Sequence, residues 1–150
     1  MNPTLKKVLI IIGAFILVLA SIYIGAMINM SIINISDKII PLPPGVDPTD
    51  IESIKENIGS FSPKQFIMPF LAHAIGTLVG AFLAVKCVVL LKLTKVFQII
   101  AALLVVLVFL YGGIEMVRML PETPTWFIAA DLLLAYLPMG WLGYKLAGGK

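Results

Sequence analysis

Charge is scarce in this chain. Asp, Glu, Lys and Arg make up 13% of its 150 residues, against 60% apolar ones, a balance far from that of a water-soluble domain. There is one histidine, His73, and one cysteine, Cys87. A lone cysteine excludes an intrachain disulfide, and its expected role is a buried structural thiol. The sequence lacks a Gly-rich phosphate loop, Cys/His metal spacing and a nucleophile elbow. A Ser–His–Asp arrangement would need a serine at the depth of His73. Ser21 is too deep in its run, and Ser31 and Ser36 lie too far out. Enzymatic activity is therefore disfavoured, and no cofactor is expected. The net charge of +3 does not mark a nucleic-acid binder, because the basic residues have a topological explanation.

What the chain does have is four long apolar runs, Val8 to Ile28, Phe66 to Leu91, Val96 to Val117 and Trp126 to Leu142. About 20 apolar residues cross the hydrocarbon core as a helix. The expected fold is all-α: one membrane domain over 1–150, with four transmembrane helices at about 7–34, 63–91, 95–119 and 124–146. Its first partner is the lipid bilayer. Two lysines precede the first run, and Val18-Leu19-Ala20 resembles a signal-peptide cleavage site. The run continues through Ile28, so the segment is expected to be retained as a span.

Lys6, Lys7, Lys86, Lys92, Lys95, Lys145 and Lys150 fall at one end of the spans, with no acidic residue among them. All eight acidic residues fall toward the other end, with Lys38, Lys55, Lys64 and Arg118. The Lys/Arg bias predicts cytoplasmic termini, with the 37–62 loop and the Pro121–Thr125 turn outside. In that loop, Pro41, Pro43, Pro44 and Gly45 break the first helix. Asp47 as N-cap and Pro48 at the first position predict a short amphipathic helix over about 48–58, with Ile51, Ile54 and Ile58 on one face and Gly59 as its stop. It should lie on the membrane or cap the bundle. Ser62 and Gln65 occupy capping-box positions before the second span. Thr123 and Pro124 are expected as N-cap and first residue of the fourth, and Pro138 should kink it.

The polar residues inside the spans carry the functional question. In the second span, His73 is followed by Gly76 and Gly80, with Thr77 beside them. Gly76 and Gly80 form a GxxxG pair, the mark of a close helix contact that also turns His73 toward protein. At 1.5 Å per residue, His73 lies about 10 Å below the outer boundary, Asp131 about 8 Å and Glu115 about 5–8 Å. Asn29 lies near the boundary. Lys86 is the exception, and it can snorkel to the inner surface. A bare carboxylate in lipid costs about 2.5–3.5 kcal/mol on an insertion scale, so Asp131 should face inward and find a partner. Arg118, His73 and Asn29 are all candidates. Either Arg118 folds back to join Asp131 and Glu115, or His73, Glu115 and Asp131 surround a cleft.

Three functions compete. The leading expectation is an accessory or oligomer-forming membrane component, partnered by a second copy or another membrane protein, with a mainly structural polar cluster. A second is a proton- or cation-binding carrier or channel subunit using His73, Glu115 and Asp131. A third is a metal-dependent membrane enzyme with the same three residues as ligands.

Two stretches carry a resemblance. One is Pro69-Phe70-Leu71-Ala72-His73-Ala74-Ile75-Gly76-Thr77-Leu78-Val79-Gly80-Ala81. The other is Pro124-Thr125-Trp126-Phe127, leading through Asp131 to Tyr136-Leu137-Pro138-Met139-Gly140. Together with Pro43-Pro44-Gly45-Val46-Asp47, they resemble small bacterial four-span membrane proteins with no assigned activity. The resemblance implies a bacterial source and the cytoplasmic (inner) membrane, and it implies no mechanism.

Overall fold

A computed structural model describes residues 2–149; Lys150, counted above among the basic residues, lies outside them. The regular structure of the described residues is all helical, and four stretches among them are long and apolar enough to cross a membrane: Pro3–Ile39, Pro63–Leu90, Lys95–Met119 and Thr125–Leu146. The first contains α1 (Pro3–Asn34) and a terminal turn, α2 (Ser36–Ile39). The 32 residues of α1 give a rod of about 48 Å, longer than the roughly 30 Å hydrocarbon core. The helix is therefore long enough to extend past the apolar layer, and its later part carries Asn29, Ser31 and Asn34. Large apolar side chains such as Leu9, Ile16, Leu107 and Leu133 are exposed, as expected where lipid is the solvent.

The second span, α4 (Ile67–Leu90), is the hub of the bundle and touches each of the other three. Its sequence explains why. Ala72, Ala81 and Ala84 are completely buried, as is Thr77, and Gly76 and Gly80 lie on the face toward α1. A Cβ on Gly25 of α1 would stand 2.6 Å from the Gly76 carbonyl oxygen, and one on Gly76 would stand 2.9 Å from the Gly25 carbonyl oxygen. Only glycine allows the two backbones this close, which is the contact expected of the GxxxG pair. The four-residue link between α4 and α5 (Lys95–Met119) is too short for anything but antiparallel neighbours. Val85, Val88 and Val105 fill the interior between spans.

The fourth span is α6 (Thr125–Ala130), a π-helical stretch over Asp131–Tyr136, and α7 (Leu137–Leu146). At Pro138, where a kink is expected, the helix takes this wider turn just before the proline. Pro138 lacks the N–H that would close a regular turn and its ring crowds the preceding carbonyls, so the ladder is already interrupted here. The span also starts one residue later than expected. Pro124 is the N-cap residue, and the Thr123 hydroxyl donates to the Leu120 carbonyl at 2.7 Å, closing the turn rather than capping the helix.

The loop helix caps the acidic end of the bundle. It is α3 (Ile51–Asn57), capped by Asp50, whose carboxylate accepts from the Glu52 N–H at 3.1 Å. Asp47 instead closes a turn, accepting from the Thr49 N–H at 2.8 Å and hydroxyl at 2.7 Å. Those two bonds hold its carboxyl below the ordinary value of 3.8. Gly59 does not stop the helix; a tighter turn continues over Ile58–Ser60. Ser62 does not cap the next turn either, because its hydroxyl is turned to the Gln65 side chain. Ile58, Phe66 and Leu120 form a second small core, packed by Ile54, Phe61 and Phe127. Phe66 and Phe127 are 4.6 Å apart at their ring centres. Gln65 ties the proline-rich loop down by donating to the Pro41 carbonyl at 3.1 Å.

Candidate functional site

Asp131 meets His73. The imidazole Nδ1 of His73 lies 2.8 and 2.9 Å from the two carboxylate oxygens of Asp131. Asp131 is 5% exposed, in keeping with the cost of a carboxylate left facing lipid. The second donor is Tyr136, whose hydroxyl gives a hydrogen bond of 3.1 Å to Asp131 Oδ2. Tyr136 is 1% exposed, and its ring stacks on His73 at 5.7 Å between centres. Imidazole, carboxylate and phenol thus form one connected group.

The π-helical stretch makes this possible. In an α-helix, residues five apart lie about 140° apart around the axis, and Tyr136 would leave Asp131 on another face. The wider i→i+5 turn returns Tyr136 to the same side. Gly113 of α5 supplies the space: a Cβ there would collide with the Tyr136 hydroxyl. Thr77, one turn along α4 from His73, donates to the His73 carbonyl at 2.8 Å. Tyr136 is not legible as a site residue from the sequence. The only local signal was Pro138, two residues on.

Glu115, Arg118 and Asn29 do not join this group. Glu115 pairs with Arg118 at 2.6 Å, with the arginine side chain 69% exposed. That i, i+3 pair is the cheapest partner for both: it forms at the polar end of α5 without burying either charge. Arg118 therefore does not fold back to Asp131. The expected cluster of one imidazole and two carboxylates is corrected to one imidazole, one carboxylate and one phenol. Among the described residues, no three His, Cys, Asp or Glu side chains come together to hold a metal ion. Asn29 sits on α1 where that helix crosses Gly76. Cys87, expected to be buried, is half-buried.

His73 and Asp131 line a cavity of about 400 Å³ at the acidic end, roofed by the 37–66 segment. Its wall is mostly apolar, with Ile54, Ile58, Met116 and Phe127 prominent. His73 Nδ1 is occupied by Asp131, and among the described residues Nε2 has no hydrogen-bond partner. No buried side-chain nitrogen or oxygen is left unpaired among those residues, so Nε2 is not sealed away in the core. The carboxylate fixes the ring and sets which nitrogen is presented. The arrangement offers one oriented imidazole, on a residue that lines a mostly apolar chamber. Compared with models of protein families, with curated proteins and with solved structures, the chain matches none.

Proposed function

We propose that this is a small bacterial inner-membrane binding protein whose outer half receives an amphiphilic small molecule. On this reading the termini are cytoplasmic and the acidic end faces outside, following the lysine bias. The observation that carries it is the cavity. It is in the size range of small-molecule sites, mostly apolar, with a few converging polar groups. The ligand's apolar part lies among Ile54, Ile58, Met116 and Phe127, and its polar group meets His73 Nε2. Asp131 and Tyr136 hold the imidazole in place.

Several observations favour binding over conduction. The layers below the site hold the packed valines Val85, Val88 and Val105, apolar side chains that do not suit an ion path toward the basic end. The one carboxylate buried among the described residues is already matched by two donors, which weakens the case for a cation site. The accessory-component reading draws support from α1, which packs chiefly on α4 and leaves much of its apolar surface uncovered. The two readings are compatible, since a ligand-holding subunit can work beside a partner.

Photolabelling tests the proposal. A diazirine-bearing medium-chain alcohol is added to the reconstituted protein, and labelled residues are mapped by peptide mass spectrometry. Labels should concentrate on Ile54, Ile58 and Met116, and Ile54→Trp, which fills the chamber, should suppress them. Labels confined to lipid-facing residues such as Ile16 and Leu107 would defeat the idea.

A further inference from the structure

At the opposite end, a second groove of about 350 Å³ runs between α5 and α7. Its length is apolar, with Ile99, Leu103 and Leu137 along it. Gly140 lets the two helices meet there, since a Cβ on it would collide with Val106. Lys95, from the start of α5, and Lys145, from the end of α7, stand at the same end of the groove. Lys145 Nζ lies 6.0 Å from the Trp141 ring centre and 5.8 Å from that of Tyr144. Neither lysine forms a salt bridge among the described residues, and no Asp or Glu side chain lines the groove.

We infer that this groove is a binding site for an anionic phospholipid. The occupant follows from the two ends of the groove. A slot between membrane helices accepts an acyl chain, and a pair of unneutralised lysines at its mouth calls for a phosphate-centred negative headgroup. The aromatic rings give the same depth marker, because tryptophan and tyrosine settle at the headgroup level. Trp141 forms one wall, so the lipid's chain passes directly beside an indole. The site is independent of the cavity around His73, which lies at the other end of the bundle.

That indole supplies the test. The chain has two tryptophans, so Trp126→Phe leaves Trp141 as the sole indole reporter. The protein is reconstituted in phosphatidylcholine vesicles containing increasing fractions of lipid with brominated chains, either phosphatidylglycerol or phosphatidylcholine. Brominated phosphatidylglycerol should quench Trp141 with an apparent affinity about fivefold or more above that of brominated phosphatidylcholine. The Lys95→Gln/Lys145→Gln double variant should lose the preference, and Lys95→Arg/Lys145→Arg should keep it. If the double variant does not insert, Lys145→Gln alone should show a reduced preference. Equal quenching by the two lipids in the Trp126→Phe protein would overturn the assignment. So would a preference unchanged by lysine replacement.

Discussion

His73 and Asp131 come from separate spans, 58 residues apart in the chain, and meet with the imidazole Nδ1 between the two carboxylate oxygens. The pair fixes the rotation of two helices at once, because either helix turning on its axis would leave a buried polar group alone. Double-mutant cycles on membrane helices put such bonds near 0.6 kcal/mol, up to about 1.7. A cycle built from His73→Ala and Asp131→Ala should therefore yield a coupling of about 1 kcal/mol. Unfolding in mixed micelles against a denaturing detergent measures it. Strict additivity of the two losses would show that the bond contributes nothing to stability.

The glycine contact between α1 and α4 makes a sharper demand. Gly25→Ala puts a methyl group 2.6 Å from a backbone oxygen, which cannot swing away as a side-chain tip can. The helices must part, at a cost of about 1–3 kcal/mol. Gly13, on the same helix, has nothing within 4 Å of its would-be Cβ. Gly13→Ala should be neutral or slightly stabilising. The same detergent titration compares the two, and equal effects would contradict the close approach.

The span count and the gathering of lysines at one end of the spans are legible in the sequence, because run length and lysine placement are one-dimensional properties. The depth agreement between His73 and Asp131 was legible too, by counting rise along each helix. Azimuth was not. Depth puts Glu115 at the same level, and the i, i+3 spacing puts Arg118 on the same side of its helix; which of the two contacts Glu115 makes is not legible from depth. Tyr136 was hidden for a different reason. An Asp and a Tyr five apart share no face in a regular helix, so only the wider turn before Pro138 reveals them as partners. In the loop, Asp47 and Asp50 both suit a cap, and the choice depended on which one the Thr49 hydroxyl engaged.

The Asp47 turn predicts a pH response at the acidic end. Its carboxyl is held below 3.8, first by the Thr49 N–H and then by the Thr49 hydroxyl. A carboxyl depressed in the folded state adds stability above its unfolded value, and that stability is lost as pH falls through the folded one. The turn should therefore stay closed near pH 4 and open only below 3.8. Thr49→Ala removes the hydroxyl's share and should move the Asp47 titration up toward its ordinary value. Carbon-detected NMR of the Asp47 carboxyl reads the change directly. A titration unmoved by Thr49→Ala would mean that the hydroxyl bond is not formed in solution.

Gly113 and Tyr136 give the strictest test of the π-helical stretch. Tyr136→Phe removes one donor from Asp131 but leaves His73 in place, so the loss should be about 0.5–1.5 kcal/mol. Gly113→Ala drives a methyl group against the Tyr136 hydroxyl and should cost about 1–3 kcal/mol by overpacking. The two substitutions address the same few ångströms. In the double variant the hydroxyl is already gone, so the added methyl meets less. The ring carbon next to it, at 2.9 Å from the same Cβ position, keeps the relief incomplete. The combined loss should thus fall short of the sum by about 0.5 kcal/mol or more, as expected for residues in contact. Full additivity would mean that the Tyr136 hydroxyl does not stand against Gly113 of α5.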